Sequence, residues 1–186
     1  NMDQFMEEVV SKRNKGTDNV MLALAWAAMI LSGIIAMFMF NLITMTISTQ
    51  GFSMGMILDI AITLLMIAAA VLLFLFKDRI KTEYEYTFTN GILDFAKVFN
   101  NRKRKTLGTM NVKNVEAVGM VKSGSFNRYL NMPGIKRLNW FINRDADLFY
   151  MYFQKDGAKS LLVIEPSETM RNMIVRSAGQ GKLQQN

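Results

Sequence analysis

The sequence predicts an α+β membrane protein: a two-span α-helical hairpin followed by an antiparallel β-barrel or sandwich that a C-terminal helix caps. Three observations predict it. Residues 20–45 and 54–76 are apolar runs that hold one charged side chain between them, Asp59. After Lys81 the hydrophobic period becomes two, as Tyr84, Tyr86 and Phe88 alternate with Glu83, Glu85, Thr87 and Thr89. Past Pro166 and Ser167, the residues Met170, Met173, Ile174 and Ala178 share one face at helical spacing.

Composition narrows the chemistry. The chain has 186 residues, a net charge of +7, no cysteine and no histidine. A thiol nucleophile, a Cys or His zinc site, a histidine base and a disulfide framework are all excluded. From residue 77 onward there are 19 Lys/Arg against 10 Asp/Glu, so the positive charge follows the apolar runs.

The first nineteen residues precede any span. Phe5, Met6, Val9 and Val10 recur at helical spacing among Asp3, Glu7, Glu8, Lys12 and Arg13. This predicts a short cytoplasmic amphipathic helix. Residues 14–19, NKGTDN, predict a linker into the first span. The opening Asn-Met reads as one extra residue before an initiator methionine.

Residues 20–45 carry no charge over 26 positions. At about 1.5 Å per residue they exceed the ~30 Å hydrocarbon core. The run is too long and too far from the N-terminus for a signal peptide. The connecting residues 46–53, TISTQGFS, are uncharged, while Lys12, Arg13 and Lys15 precede the hairpin and Lys77, Arg79 and Lys81 follow it. The positive-inside rule places both termini in the cytoplasm, at the cell (inner) membrane. Trp26 and Phe52 suit interfacial depth. Asp59 is a candidate intramembrane polar site, with bonding to Thr63 on the same face as the plainer reading. Ala28, Ser32 and Ala36 in the first span, and Ala61 and residues 68–70 in the second, are small enough for close helix approach.

The cytoplasmic domain occupies residues 82–178. Asn90-Gly91 marks a hairpin into a strand at 92–99. Asn100-Asn101 turns into a strand at 103–110, and 112–121 reads as a fourth. Residues 123–137, with Gly124, Pro133 and Gly134, read as a long loop. A strand at 136–143 follows. Residues 148–153, LFYMYF, are apolar on both faces and predict a strand covered on both sides. Asp156-Gly157 turns into 160–164. Ser167 caps the final helix, Gly179 ends it, and 179–186 reads as a flexible tail.

This order resembles the bacterial pleckstrin-homology-like (PH-like) membrane proteins, of Gram-positive type. A Tyr86-Thr87-Phe88-Thr89 strand follows the hydrophobic hairpin, and Val112, Val115 and Val118 follow a basic turn. The resemblance implies a seven-stranded, partly open barrel capped by a helix, with no defined ligand.

The basic turn is Arg102, Lys103, Arg104 and Lys105. A first strand leaving the membrane would span about 26 Å in eight residues, and its partner would bring the turn back toward the membrane. With Lys77, Arg79 and Lys81 it is a candidate site for anionic lipid or a partner. A solvated turn is the plain alternative. Phe126, Arg128, Tyr129 and Trp140 are candidate loop contacts, with packing on the sheet as the alternative. Asp145, Asp147 and Asp156 are isolated, Ser123 and Ser125 lack a histidine, and nothing fixes a geometry for Lys122 with Ser123. No phosphate loop or metal-ligand spacing appears.

The expectation is a non-enzymatic membrane-anchored adaptor or scaffold, without catalytic residues, cofactor or metal. It would present its domain to a protein partner or to a second copy. The alternatives are a sensor of anionic lipid through the basic turn, and an accessory subunit of a transporter or envelope complex. Nucleic acid is not an expected partner.

Overall fold

The computed structural model describes residues 3–185. They form two units, each described by itself: residues 14–81, and the chain up to Arg13 together with that from Thr82 onward.

In the first unit, α1 (Gly16–Gln50) and α2 (Met56–Phe76) pack against each other as a hairpin. Gly51 closes α1 at φ 75°, its N–H donating to the Ile47 carbonyl at 3.0 Å. The helix outruns the apolar stretch at both ends, so the loop shortens to residues 51–55. Only 6% of each helix's most apolar stretch is buried. Leu31, Phe38, Leu65 and Leu72 are exposed. A soluble core helix would bury these side chains, and exposed apolar surface on this scale marks the two helices as candidate membrane spans. Both helices are long and apolar enough to cross a membrane. Of the small residues, Ala36 is buried, Ser32 half-buried and Ala28 exposed.

In the second unit, the alternation after Lys81 forms β2 (Thr82–Thr89), β3 (Ile92–Phe99) and β4 (Lys103–Asn111). Asn90 and Gly91 both take positive φ, 49° and 88°. That is the turn which matches the twist of a two-residue hairpin. Residue Leu107 is an extra residue in β4: Ala96 faces Thr106, while Phe95 faces Gly108. The other edge of β2 is covered by β1 (Phe5–Val10), antiparallel, with Val10 opposite Tyr84. The predicted N-terminal amphipathic helix is therefore a strand. Met6, Glu8 and Val10 take one face and Phe5, Glu7 and Val9 the other, and β2 offers them a ladder that local spacing does not reveal.

The second sheet contains β5 (Ala117–Met120), β6 (Lys136–Trp140), β7 (Phe149–Lys155), β8 (Ala158–Ile164) and β9 (Leu183–Gln184), in the order β6-β8-β7-β5-β9. Two pairs, β6–β8 and β5–β9, are parallel, so the sheet is mixed where all-antiparallel pairing is expected. The predicted flexible tail instead makes a 3₁₀ turn (Gln180–Lys182) and strand β9. The predicted fourth strand is shorter than 112–121, because Val112–Asn114 is a 3₁₀ turn. The predicted long loop contains α3 (Ser125–Leu130).

Helix α4 (Glu168–Ala178) starts at Ser167, whose Oγ accepts the Met170 N–H at 3.2 Å. Met170, Ile174, Val175 and Ala178 are buried in one core with Tyr86, Phe88, Leu93, Phe95, Val118, Phe149, Met151 and Ile164. Each such large side chain contributes about 1.5–3 kcal/mol by leaving water. Tyr150, Tyr152, Leu161 and Val163 point to the other side of the second sheet, where Phe126 of α3 covers them. The strand predicted to be apolar on both faces is thus covered on both.

Candidate functional site

The sheet order creates an opening. β4 is the last strand of the first sheet and β6 the last of the second, and each pairs on one side only among the described residues. Between them lies a cleft of about 650 Å³. Leu107 and Met110 form one wall, Leu138, Trp140 and Leu162 the other, and Lys136, Lys155 and Asp156 stand among its polar lining. The Trp140 ring packs on Phe95 with centroids 5.0 Å apart. It also reaches over the β4 backbone at Gly108, where an added Cβ would meet Trp140 Cη2 at 3.6 Å, an ordinary van der Waals contact. The Tyr86 hydroxyl donates to the Trp140 carbonyl, which fixes the strand end that carries the indole.

A second feature follows from register. Tyr84, Lys97 and Lys105 are directly opposite one another across three strands, and Thr82, Phe99 and Lys103 form the next row. Period two puts both rows on one face of the sheet. Lys97 Nζ lies 5.6 Å from the ring centroids of both Tyr84 and Phe99. Arg104 is on the opposite face, its Nη2 2.9 Å from Glu85 Oε1. The Glu85 carboxyl is pushed up, first by burial and then by the bond with Glu7, while Arg104 pulls it down. The four-cation turn is therefore divided, with Arg104 ion-paired and Lys103 and Lys105 aligned with Lys97.

This sheet end also receives both chain connections. Thr82 opens β2 opposite Phe99, and Val10 closes β1 opposite Tyr84. Beyond Val10 the chain is held by Asn143, whose Nδ2 donates to the Ser11 carbonyl at 2.9 Å and whose Oδ1 accepts the Arg13 N–H at 3.2 Å. Arg13 pairs with Asp145 at 3.1 Å.

A family model described as "Bacterial PH-like domain (DUF6106)" matches residues 2–182. The chain belongs to this family. The match includes β1, the helical hairpin and β2 to β8 and ends just before β9, so the N-terminal strand lies within the family's pattern. No curated protein and no solved structure matches the chain. PH-like domains are generally non-catalytic.

The remaining predicted positions are distributed as follows in this PH-like protein. Phe126 is buried, its ring 5.4 Å from that of Tyr150, and Tyr129 packs 4.8 Å from Tyr152. These two serve the second core, while Arg128 lies over the Tyr129 ring at 5.7 Å. Ser125 Oγ is 2.8 Å from the Tyr150 hydroxyl and 2.6 Å from Ser123 Oγ, so both serines are spent on internal bonds. Burial pushes the Tyr150 hydroxyl up, and the Ser125 bond opposes it. In the hairpin unit Lys77 is buried, 3.6 Å from Asp78 Oδ2, with its ammonium over Phe74 and Trp26. Arg79 lies over Phe76. Asp59 is half-buried, and its main-chain carbonyl accepts the Thr63 hydroxyl at 2.8 Å. Arg102 is exposed beside the turn. Among the described residues no group of three or more acidic side chains is placed to hold a metal ion. Lys97 is absent from the sequence-based candidates. Pairing arithmetic across the Asn100-Asn101 turn would have found it, since Phe99 opposite Lys103 implies Lys97 opposite Lys105.

Proposed function

We propose that this protein is a non-enzymatic membrane-anchored adaptor. Its PH-like domain, on the cytoplasmic side of the cell membrane, takes an extended segment of a protein partner into the seam between β4 and β6. The observation that carries this reading is the pair of strand edges, open among the described residues, on either side of an apolar trough. A free edge offers main-chain N–H and C=O groups to an added strand, and the trough offers room for alternate side chains. Lys136 and Lys155 outnumber Asp156 among the charged lining residues, so the segment combines apolar residues with acidic ones.

The test is site-specific photocrosslinking of the full-length protein in its membrane. A probe at Met110, in the seam, is expected to join a discrete protein, and Leu138→Arg is expected to abolish the adduct while the thermal midpoint stays near wild type. A probe at Thr87, on the outer face of β2, serves as the control. Equal adducts at both positions, or adducts with lipid alone, would overturn the proposal. The chain has no cysteine, so single-cysteine variants test the topology cleanly. An impermeant maleimide should label Ser53→Cys in cells with an intact inner membrane, and Gln154→Cys only after lysis.

A further inference from the structure

We infer that Lys97, Lys103 and Lys105 form a contact face for the anionic headgroups of the bilayer that anchors the chain. The inference rests on the reading that residues 14–81 span that bilayer, and not on the seam. Three observations carry it. Lys97 and Lys105 stand directly opposite each other, a like-charge pair that disfavours the sheet unless an outside anion compensates. Arg104 has the nearby Glu85, whereas Lys97 has two aromatic rings beside it. Glu83 and Glu85 are on the opposite face by the strand period, and Glu8, farther along the same face as the lysines, accepts the Ser167 N–H at 2.7 Å, so this end of the face presents the three lysines beside the rings of Tyr84 and Phe99. Such a mixture suits an interface that is anionic at the headgroups and apolar beneath.

Position selects lipid over an acidic protein. Both connections between the sheet and the residues read as spanning leave from this end, at Val10 and Thr82. The covalent link brings the cations to a lipid surface without a separate binding event. An acidic protein would have to compete with that local supply.

The experiment uses the full-length protein in nanodiscs, with a donor dye on Thr106→Cys near the face and, separately, on Thr89→Cys at the other end of β2. Acceptor-labelled headgroups report proximity. In discs containing phosphatidylglycerol, transfer from residue 106 should exceed transfer from residue 89 and should fall as salt rises. Each lysine is expected to change the ratio of docked to undocked domain about fivefold. Lys97→Glu with Lys105→Glu should lower that ratio more than tenfold, and Arg104→Glu should lower it much less. If the double charge reversal unfolds the domain, Lys97→Gln with Lys105→Gln gives the same test at about half the effect.

Equal transfer in purely zwitterionic discs, or an equal loss with Arg104→Glu, would overturn the inference. Transfer that is absent in phosphatidylglycerol discs but appears on adding an acidic cytosolic fraction would assign the face to a protein and also overturn it. Failure of the spanning reading is distinguishable, because alkaline carbonate would then extract the chain from membranes.

Discussion

The Glu165 main-chain N–H donates to the Tyr86 hydroxyl at 3.1 Å. That hydroxyl donates onward to the carbonyl of Trp140. One buried side chain of the first sheet thereby satisfies a main-chain group of β6 and another just past the end of β8. Tyr86→Phe keeps the ring and its edge-on contact with Phe95, 5.7 Å between centroids, but leaves both groups without this partner. The expected cost is about 1–3 kcal/mol, read as a lower denaturation midpoint at constant m-value. Trp140 should also gain mobility, visible as a change in its fluorescence.

The same residue predicts alkaline instability. Burial pushes the Tyr86 hydroxyl far above the ordinary tyrosine range; the bond from Glu165 opposes this, and the charges of Glu165, Tyr84 and Glu8 add to it. The folded chain therefore holds a proton that the unfolded chain releases at about pH 10. Stability is fully present below that pH and falls as pH rises through it, by up to about 1.4 kcal/mol per pH unit for this one group. Tyr84 and Tyr150 are shifted in the same direction by burial. Equilibrium unfolding from pH 8 to 11 should show the loss, and Tyr86→Phe should show a shallower slope.

Glu7 and Glu85 predict a second pH effect, in the acid range. The Glu85 carboxyl is raised by burial and by Glu7, so its folded-state contribution is present below its unfolded value and lost as pH rises through the folded one. Glu7→Gln removes one of two facing carboxylates. It should raise the melting temperature at pH 7 and change it little at pH 4, where Glu85 carries its proton. A larger effect at pH 4 than at pH 7 would count against the pairing.

Much of this fold is legible in the sequence because its signals are local. Asn90-Gly91, Asn100-Asn101 and Asp156-Gly157 mark three turns with positive-φ residues. Tyr86 and Phe88 show the period of β2, and Ser167 and Gly179 bracket α4. What escaped depends on distant partners. Phe5, Met6, Val9 and Val10 fit a helix by spacing, yet β2, more than seventy residues away, supplies a ladder and makes them a strand. β9 is two residues long, and only its pairing with Val118 and Gly119 defines it. The parallel alignment of β6 with β8 leaves no local mark. The cleft exists because of strand order, which composition does not encode. The basic turn was visible as a cluster, but its division between Arg104 and the lysines needed the register.

Gly119 ties the C-terminal strand to the second core. A Cβ at this position would lie 3.0 Å from the Gln184 carbonyl oxygen and 3.0 Å from both Cε1 and the hydroxyl oxygen of Tyr150. Tyr150 is fully buried and bonded to Ser125, so it has little room to move. The two-residue strand β9 is the weaker neighbour. Gly119→Ala should therefore displace β9 first, at a cost of about 1–3 kcal/mol. Hydrogen exchange of residues 183–184 should accelerate, while the amides of β1 remain protected. If the tail keeps its protection and exchange rises around Ser125 and Tyr150, the ring has yielded instead, and β9 is held more firmly than its length implies.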